Sequence, residues 1–170
     1  MKIDFHCHSF PVGFFRALKR YYPNVIELHE DAKRLVGIWA KTPLPAWDHD
    51  ARLEDMDRAG IDIEILSNPP VYSRVDGHAP ELCRLTNDAI ADTCRRDPKR
   101  FKAFAHLPFN NMHLALKEMA RALDELHFAG VVVTSNVGGR RPARIARGLT
   151  CRCKARANRA PTQRSGCCEW

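Results

Sequence analysis

The sequence predicts an α/β protein built on a parallel sheet, followed by a basic tail without regular structure. Three observations carry the prediction. Short β-type runs alternate with helical patterns along residues 1–138, one of those runs is continuously β-branched, and both periodicities vanish past Gly139. Strand–helix alternation is the order of parallel α/β folds. The run Val131-Val132-Val133-Thr134 is of the kind buried on both faces of such a sheet. A doubly wound sheet and a barrel share this order, and periodicity does not choose between them.

Each element has its own warrant. Lys2–His6 is the first strand, and a long polar and aromatic stretch without an assignable element follows it to about Trp47. A helix is predicted from Asp48 to Ala59, with Asp48 as N-cap, Leu53 and Met56 on one face and Gly60 at the left-handed C-terminal position. Ile61, Ile63 and Ile65 alternate with Asp62 and Glu64 in a second strand, Ile61–Leu66, closed by Asn68-Pro69-Pro70. The next helix covers Ala79–Arg96 and stops before Asp97-Pro98, because a residue preceding proline resists the helical region. Phe101–His106 is the third strand. A third helix starts at the N-cap Asn111 and carries Met112, Leu116, Met119, Leu123 and Leu126 as an amphipathic stripe. Gly130 introduces the fourth strand, Val131–Thr134.

The chain has 170 residues, enough for one domain with a real core, whereas a complete (β/α)8 barrel usually needs about 250. Its net charge of +7 would point to nucleic acid if it were spread evenly. It is not. Nine arginines and lysines lie in residues 140–170 against one acid, Glu169, so the body is close to neutral. The tail lacks stacking aromatics apart from Trp170, which makes nucleic acid an unfavoured partner. No apolar run reaches the ~20 residues a membrane span requires, and the amino terminus has no apolar h-region. A cytoplasmic location without a membrane partner is the expectation. Scattered cysteines in the body agree with a reducing compartment.

Candidate chemistry concentrates at His6-Cys7-His8. Residues i and i+2 of a strand share a face, so two imidazoles at a strand's carboxyl end can chelate one divalent metal ion, zinc being the commonest choice. Two solvated histidines fit the pair alone equally well. Cys7 points to the opposite face and is expected to pack. His106 ends the third strand and could line the same pocket or serve as a structural histidine; Trp47 could wall that pocket or cover a core edge. Val137-Gly138-Gly139-Arg140 lacks the spacing of a phosphate-binding turn.

Taken together, four stretches look familiar. The opening Met1–His8 resembles the metal-binding start of the amidohydrolase superfamily. Trp47-Asp48-x-x-x-Arg52-Leu53-x-x-Met56-Asp57-x-x-Gly60-Ile61 is similar to the aminocarboxymuconate-semialdehyde decarboxylase-like branch. So are Asn87-Asp88 with Asp97-Pro98-Lys99-Arg100-Phe101 and Leu107-Pro108, and Ala115-x-Lys117-Glu118-Met119 with Gly130-Val131. The resemblance covers residues 1–138 and implies the amino-terminal half of a (β/α)8 TIM-type barrel. The implied activity is that of a metal-dependent decarboxylase or hydrolase of small carboxylated or cyclic substrates. It makes His6 and His8 the first two metal ligands, and segment 9–47 an insertion over the catalytic end. The remaining ligands and a catalytic histidine belong to later strands of the family, so this chain is expected to be impaired or inactive. Unpaired barrel edges would favour homo-oligomers.

Resemblance, periodicity and neutral charge all end near Gly139. That coincidence predicts a boundary at 138, with residues 139–170 read in a shifted frame. Two other readings stay open: a metal-dependent phosphoesterase of the histidinol-phosphatase type, which shares the His-x-His-Ser opening, and a fragment binding nucleic acid through its tail.

Overall fold

A computed structural model describes residues 1–30, 34–68 and 77–133. Along the chain these form β1 (Ile3–His8), α1 (Val12–Tyr21), β2 (Glu27–Glu30), β3 (Leu35–Trp39), β4 (Thr42–Pro45), α2 (His49–Ala59), β5 (Ile63–Ser67), α3 (Ala79–Arg96), β6 (Phe101–Ala105), α4 (Met112–Asp124) and β7 (Gly130–Val131). The predicted caps are in place. Asp48 accepts the Ala51 N–H at 3.1 Å, Asn111 accepts the Leu114 N–H at 3.2 Å, and Gly60 closes α2 at φ 65°, where a side chain would be strained.

β1, β5, β6 and β7 make one sheet in that order, and every neighbouring pair is parallel. Each new strand joins the same edge, whereas a doubly wound sheet reverses its order partway. Register sorts the two faces. Glu64 pairs with Phe101, and Leu66 with both Cys7 and Ala103. All five are buried, and Cys7, Leu66, Phe101 and Ala103 share a core with Ile90 and Ala91 of α3 and Ala115 and Met119 of α4. The opposite row includes Ile65 against Lys102 and His8 against Ser67.

The expectation that 9–47 contains no element is corrected. Phe14, Phe15 and Leu18 of α1 are fully buried. They pack with Ile26, Leu35 and residues Ala79, Leu82 and Cys83 of α3 in a second core. An antiparallel sheet, β2-β3-β4, covers them. Its β3–β4 turn is Ala40-Lys41, with φ 48° and 66°. Pro43 and Pro45 sit on β4, an edge strand, where a missing N–H is tolerated. Gly37 of β3 is needed for closeness, since a Cβ there would lie 2.7 Å from Phe15 and 2.8 Å from Ile26.

Boundaries move slightly. β1 extends through His8, β5 starts at Ile63 because Asp62 and Ile63 N–H groups both bond Lys2 O, and β6 ends at Ala105. Thr134, the basic tail with its boundary at 138, and the inferred frame shift lie outside the described residues. No helix among the described residues is long and apolar enough to cross a membrane.

Candidate metal centre at the end of the first strand

An unbroken strand would send residues 3–8 alternately to the two faces. β1 is not unbroken: Asp4 pairs with Glu64 but Cys7 with Leu66, so one extra residue is taken up between them, as in a β-bulge. The Asp4 carboxylate accepts the His6 N–H at 2.8 Å and holds the bulge. The His6 and His8 rings lie edge to face, 4.9 Å between centroids. The two candidate ligands are therefore neighbours. Cys7 packs, as expected, and its thiol donates to Glu64 Oε2 at 2.9 Å.

His8 Nδ1 lies 3.4 Å from the Ser67 carbonyl. A carbonyl only accepts, so Nδ1 carries the proton and Nε2 is the acceptor. Burial holds the His8 pKa below the ordinary histidine range, and the neighbouring His6 and Arg52 charges act the same way, against the Ser67 bond. A neutral imidazole is the metal-binding form. Two imidazoles suit a borderline divalent ion, and no cluster of three or more His, Cys, Asp or Glu is found among the described residues. The described residues thus offer two candidate ligands, His6 and His8.

Arg52 of α2 ties β1 to the helix layer. Its guanidinium reaches the His8 carbonyl at 3.5 Å and Glu64 Oε1 at 3.7 Å, and sits 5.5 Å above the Trp47 ring. Trp47 also meets Phe101 edge to face at 5.6 Å. Its recorded ring contacts are with this packing layer, so its link to the histidine pair runs through Arg52. His106 is 1% exposed. Its Nε2 accepts the Asn68 N–H at 2.9 Å, which assigns the ring proton to Nδ1. Burial, with a smaller contribution from His8, lowers its pKa to about 3, so the ring is neutral.

Sequence reasoning missed the frame around these rings. Asn87 holds the His106 backbone twice, donating to its carbonyl and accepting its N–H, both at 2.9 Å. The same amide donates to Glu118 Oε1 at 2.7 Å, and Arg121 bridges Glu118 to Asp88. Asn68 was legible only as the end of a strand, yet its Oδ1 accepts the Ser9 N–H at 2.9 Å while Nδ2 has no partner among the described residues. His49, buried at the start of α2, meets Asp97 at 2.6 Å. Nothing in the spacing of these residues announced the contacts, which join elements far apart in the chain.

The chain is similar to known decarboxylases. The 2-amino-3-carboxymuconate-6-semialdehyde decarboxylase of Dictyostelium discoideum is 29% identical over 150 residues, spanning 82% of this chain and 42% of that protein. The γ-resorcylate decarboxylase of Rhizobium radiobacter is 40% identical over 87 residues, 49% of this chain and 27% of its own. A crystal structure of a dihydroxybenzoic acid decarboxylase from Polaromonas sp. JS666, with bound manganese and the inhibitor 2-nitroresorcinol, superimposes with a TM-score of 0.55 at 27% identity. It covers 78% of this chain and 38% of that one. The chain thus spans less than half the length of the relatives it matches. These matches support the decarboxylase lineage and give the phosphoesterase alternative no support. A family model described as amidohydrolase matches residues 3–160, running past the change of composition at 139. The chain belongs to the amidohydrolase family.

Proposed function

We propose that this chain carries the metal-binding opening of a decarboxylase acting on a small aromatic carboxylate, with His6 and His8 as two ligands of one divalent metal. The observation that carries the reading is the pair itself: adjacent rings at the carboxyl end of β1, with the His8 proton committed to Ser67. Zinc is the usual choice for imidazole, and the manganese in a related decarboxylase widens the choice to divalent metals. Such a metal would supply Lewis-acid polarisation of a substrate oxygen. The chain's own residues position: Arg52 holds the His8 carbonyl, Trp47 backs Arg52, and His106, kept neutral, anchors Asn68. In the overall reaction a carbon–carboxylate bond breaks, carbon dioxide leaves, and a proton replaces it on the ring carbon.

This reading includes a cytoplasmic setting, no membrane or nucleic-acid partner, and the first half of a barrel over residues 1–138. It also includes weak or absent turnover by the chain alone, since the described residues offer only two ligands. Association through the outer edges of β1 and β7, the end strands of the sheet, belongs to it as well. The frame-shifted reading of 139–170 is tested by sequencing the gene through codon 139. The activity is tested by incubating the metal-loaded full chain with a panel of hydroxybenzoates, γ-resorcylate among them, and following carbon dioxide release and metal-dependent binding. Binding that disappears in His6→Ala/His8→Ala supports the reading; binding indifferent to metal and to both substitutions contradicts it.

A further inference from the structure

Around the ends of β1 and β5, hydrogen-bond acceptors are in use. The Ser67 carbonyl takes the Ser9 N–H at 3.1 Å and faces His8 Nδ1. The Cys7 carbonyl takes the Ser67 hydroxyl at 3.4 Å, the His8 carbonyl takes Arg52, and His106 Nε2 takes the Asn68 N–H. Glu64 lies in the helix-facing row, engaged with Cys7 and Arg52. Among the described residues two buried side-chain donors are left over, Trp47 Nε1 in the packing layer and Asn68 Nδ2 just after β5. Asn68 is 2% exposed, and its Nδ2 has no partner among the described residues. Turning the amide round would set its NH2 against the Ser9 N–H, which lies 2.9 Å from Oδ1 and is shared with the Ser67 carbonyl. The residue cannot drift either, since its own N–H is fixed on the buried His106 ring. Buried amides are nearly always satisfied. A fixed, surplus donor between the strand ends bearing His8 and His106 therefore points to an oxygen that arrives from outside.

We propose that Asn68 is a substrate-recognition residue of this site, its Nδ2 donating a hydrogen bond to an oxygen of a small carboxylate bound beside His6 and His8. The proposal rests on the carboxylate reading above and adds a residue to it. Asn68 orients the ligand, and its backbone partner His106 sets where that donor stands.

The test uses the full, metal-loaded chain and γ-resorcylate as probe. Calorimetric titration is compared for the unaltered chain, Asn68→Asp and Asn68→Ala. Asn68→Asp keeps the Ser9 contact and replaces the donor with an acceptor. We expect probe binding to weaken roughly tenfold or more in both variants, as for a lost hydrogen bond to a charged group, with metal affinity unchanged. In the unaltered chain, the Asn68 side-chain NH2 resonance is expected to shift as probe saturates; this readout stands even if a variant fails to fold. Probe binding within twofold of the unaltered chain in both variants, or no NH2 shift at saturation, overturns the role of Asn68 and leaves the carboxylate reading intact. Failure of the unaltered, metal-loaded chain to bind the probe overturns both.

Discussion

The Cys7 thiol donates a 2.9 Å hydrogen bond to the buried Glu64 carboxylate, in the helix-facing row of the sheet and opposite the row that holds His8. The contact links β1 to β5 beyond the bulge and draws in Arg52, whose other partner is the His8 carbonyl. The histidine pair is thus held from behind by a polar cluster inside the packing layer.

Removing Glu64 should loosen that hold. Glu64→Ala takes the acceptor from Cys7 and the counter-charge from Arg52. Arg52 is 35% exposed and recovers some hydration, so the cost should be about 2–3 kcal/mol, below that of breaking a fully buried pair. Urea unfolding measures it, and metal affinity should fall in parallel. A change under about 0.5 kcal/mol, the range of ordinary surface substitutions, would contradict the structural role.

Burial pushes the thiols of Cys7 and Cys83 well up, Cys7 further so through Glu64, and raises Cys94 to about 11. The thiolate is the reactive form. Iodoacetamide at pH 8 should leave Cys7 and Cys83 unmodified in the native chain and modify both in urea, as read by peptide mass spectrometry. Rapid native labelling of Cys7 would contradict its placement.

The second core makes a separate prediction. At Gly37 a methyl group meets Phe15 and Ile26 well inside contact distance. Gly37→Ala should destabilise by about 1–3 kcal/mol through overpacking. A neutral or stabilising outcome by thermal unfolding would mean that α1 does not pack on β3 as described.

His106 sets a pH dependence. Its folded pKa, about 3, lies below the unfolded value near 6.5. The unfolded chain therefore binds the additional proton between these values, and stability is full above about pH 6.5 and falls as pH drops toward 3. His8, also lowered, adds in the same direction. His106→Gln keeps an acceptor for Asn68 and cannot titrate. Its urea midpoint should decline less between pH 7 and pH 5 than that of the unaltered chain; equal declines would sink the assignment.

What could be read from the sequence follows the reach of local signals. Asp48, Gly60 and Asn111 are local capping signals, and each cap formed as predicted. Ile63 and Ile65 carried the parallel sheet, and the i, i+2 spacing agrees with His6 lying beside His8; the β-branched run after Gly130 overpredicted its strand, since β7 stops at Val131 and Val133 is half exposed. The insertion was hidden for physical reasons. The β3–β4 turn uses Ala40-Lys41 in positive φ, where Asn-Gly is the usual signal, and β4 holds two prolines. α1 did leave a trace: Pro11 before it, Pro23 after it, Phe14 and Leu18 four apart, and Lys19 and Arg20 in its last turn. The Asn68–His106 and Asn87–Glu118 contacts depend on which strands become neighbours, which no window of sequence contains.

Paramagnetic broadening by manganese reads whether His6 and His8 hold one metal ion. With histidine-labelled chain, substoichiometric Mn2+ should broaden the His6 and His8 imidazole resonances first, and His8→Ala should abolish the selective effect while the chain remains folded. Broadening that spares both rings, or that centres on other histidines and persists in His8→Ala, would show that His6 and His8 do not share a metal ion.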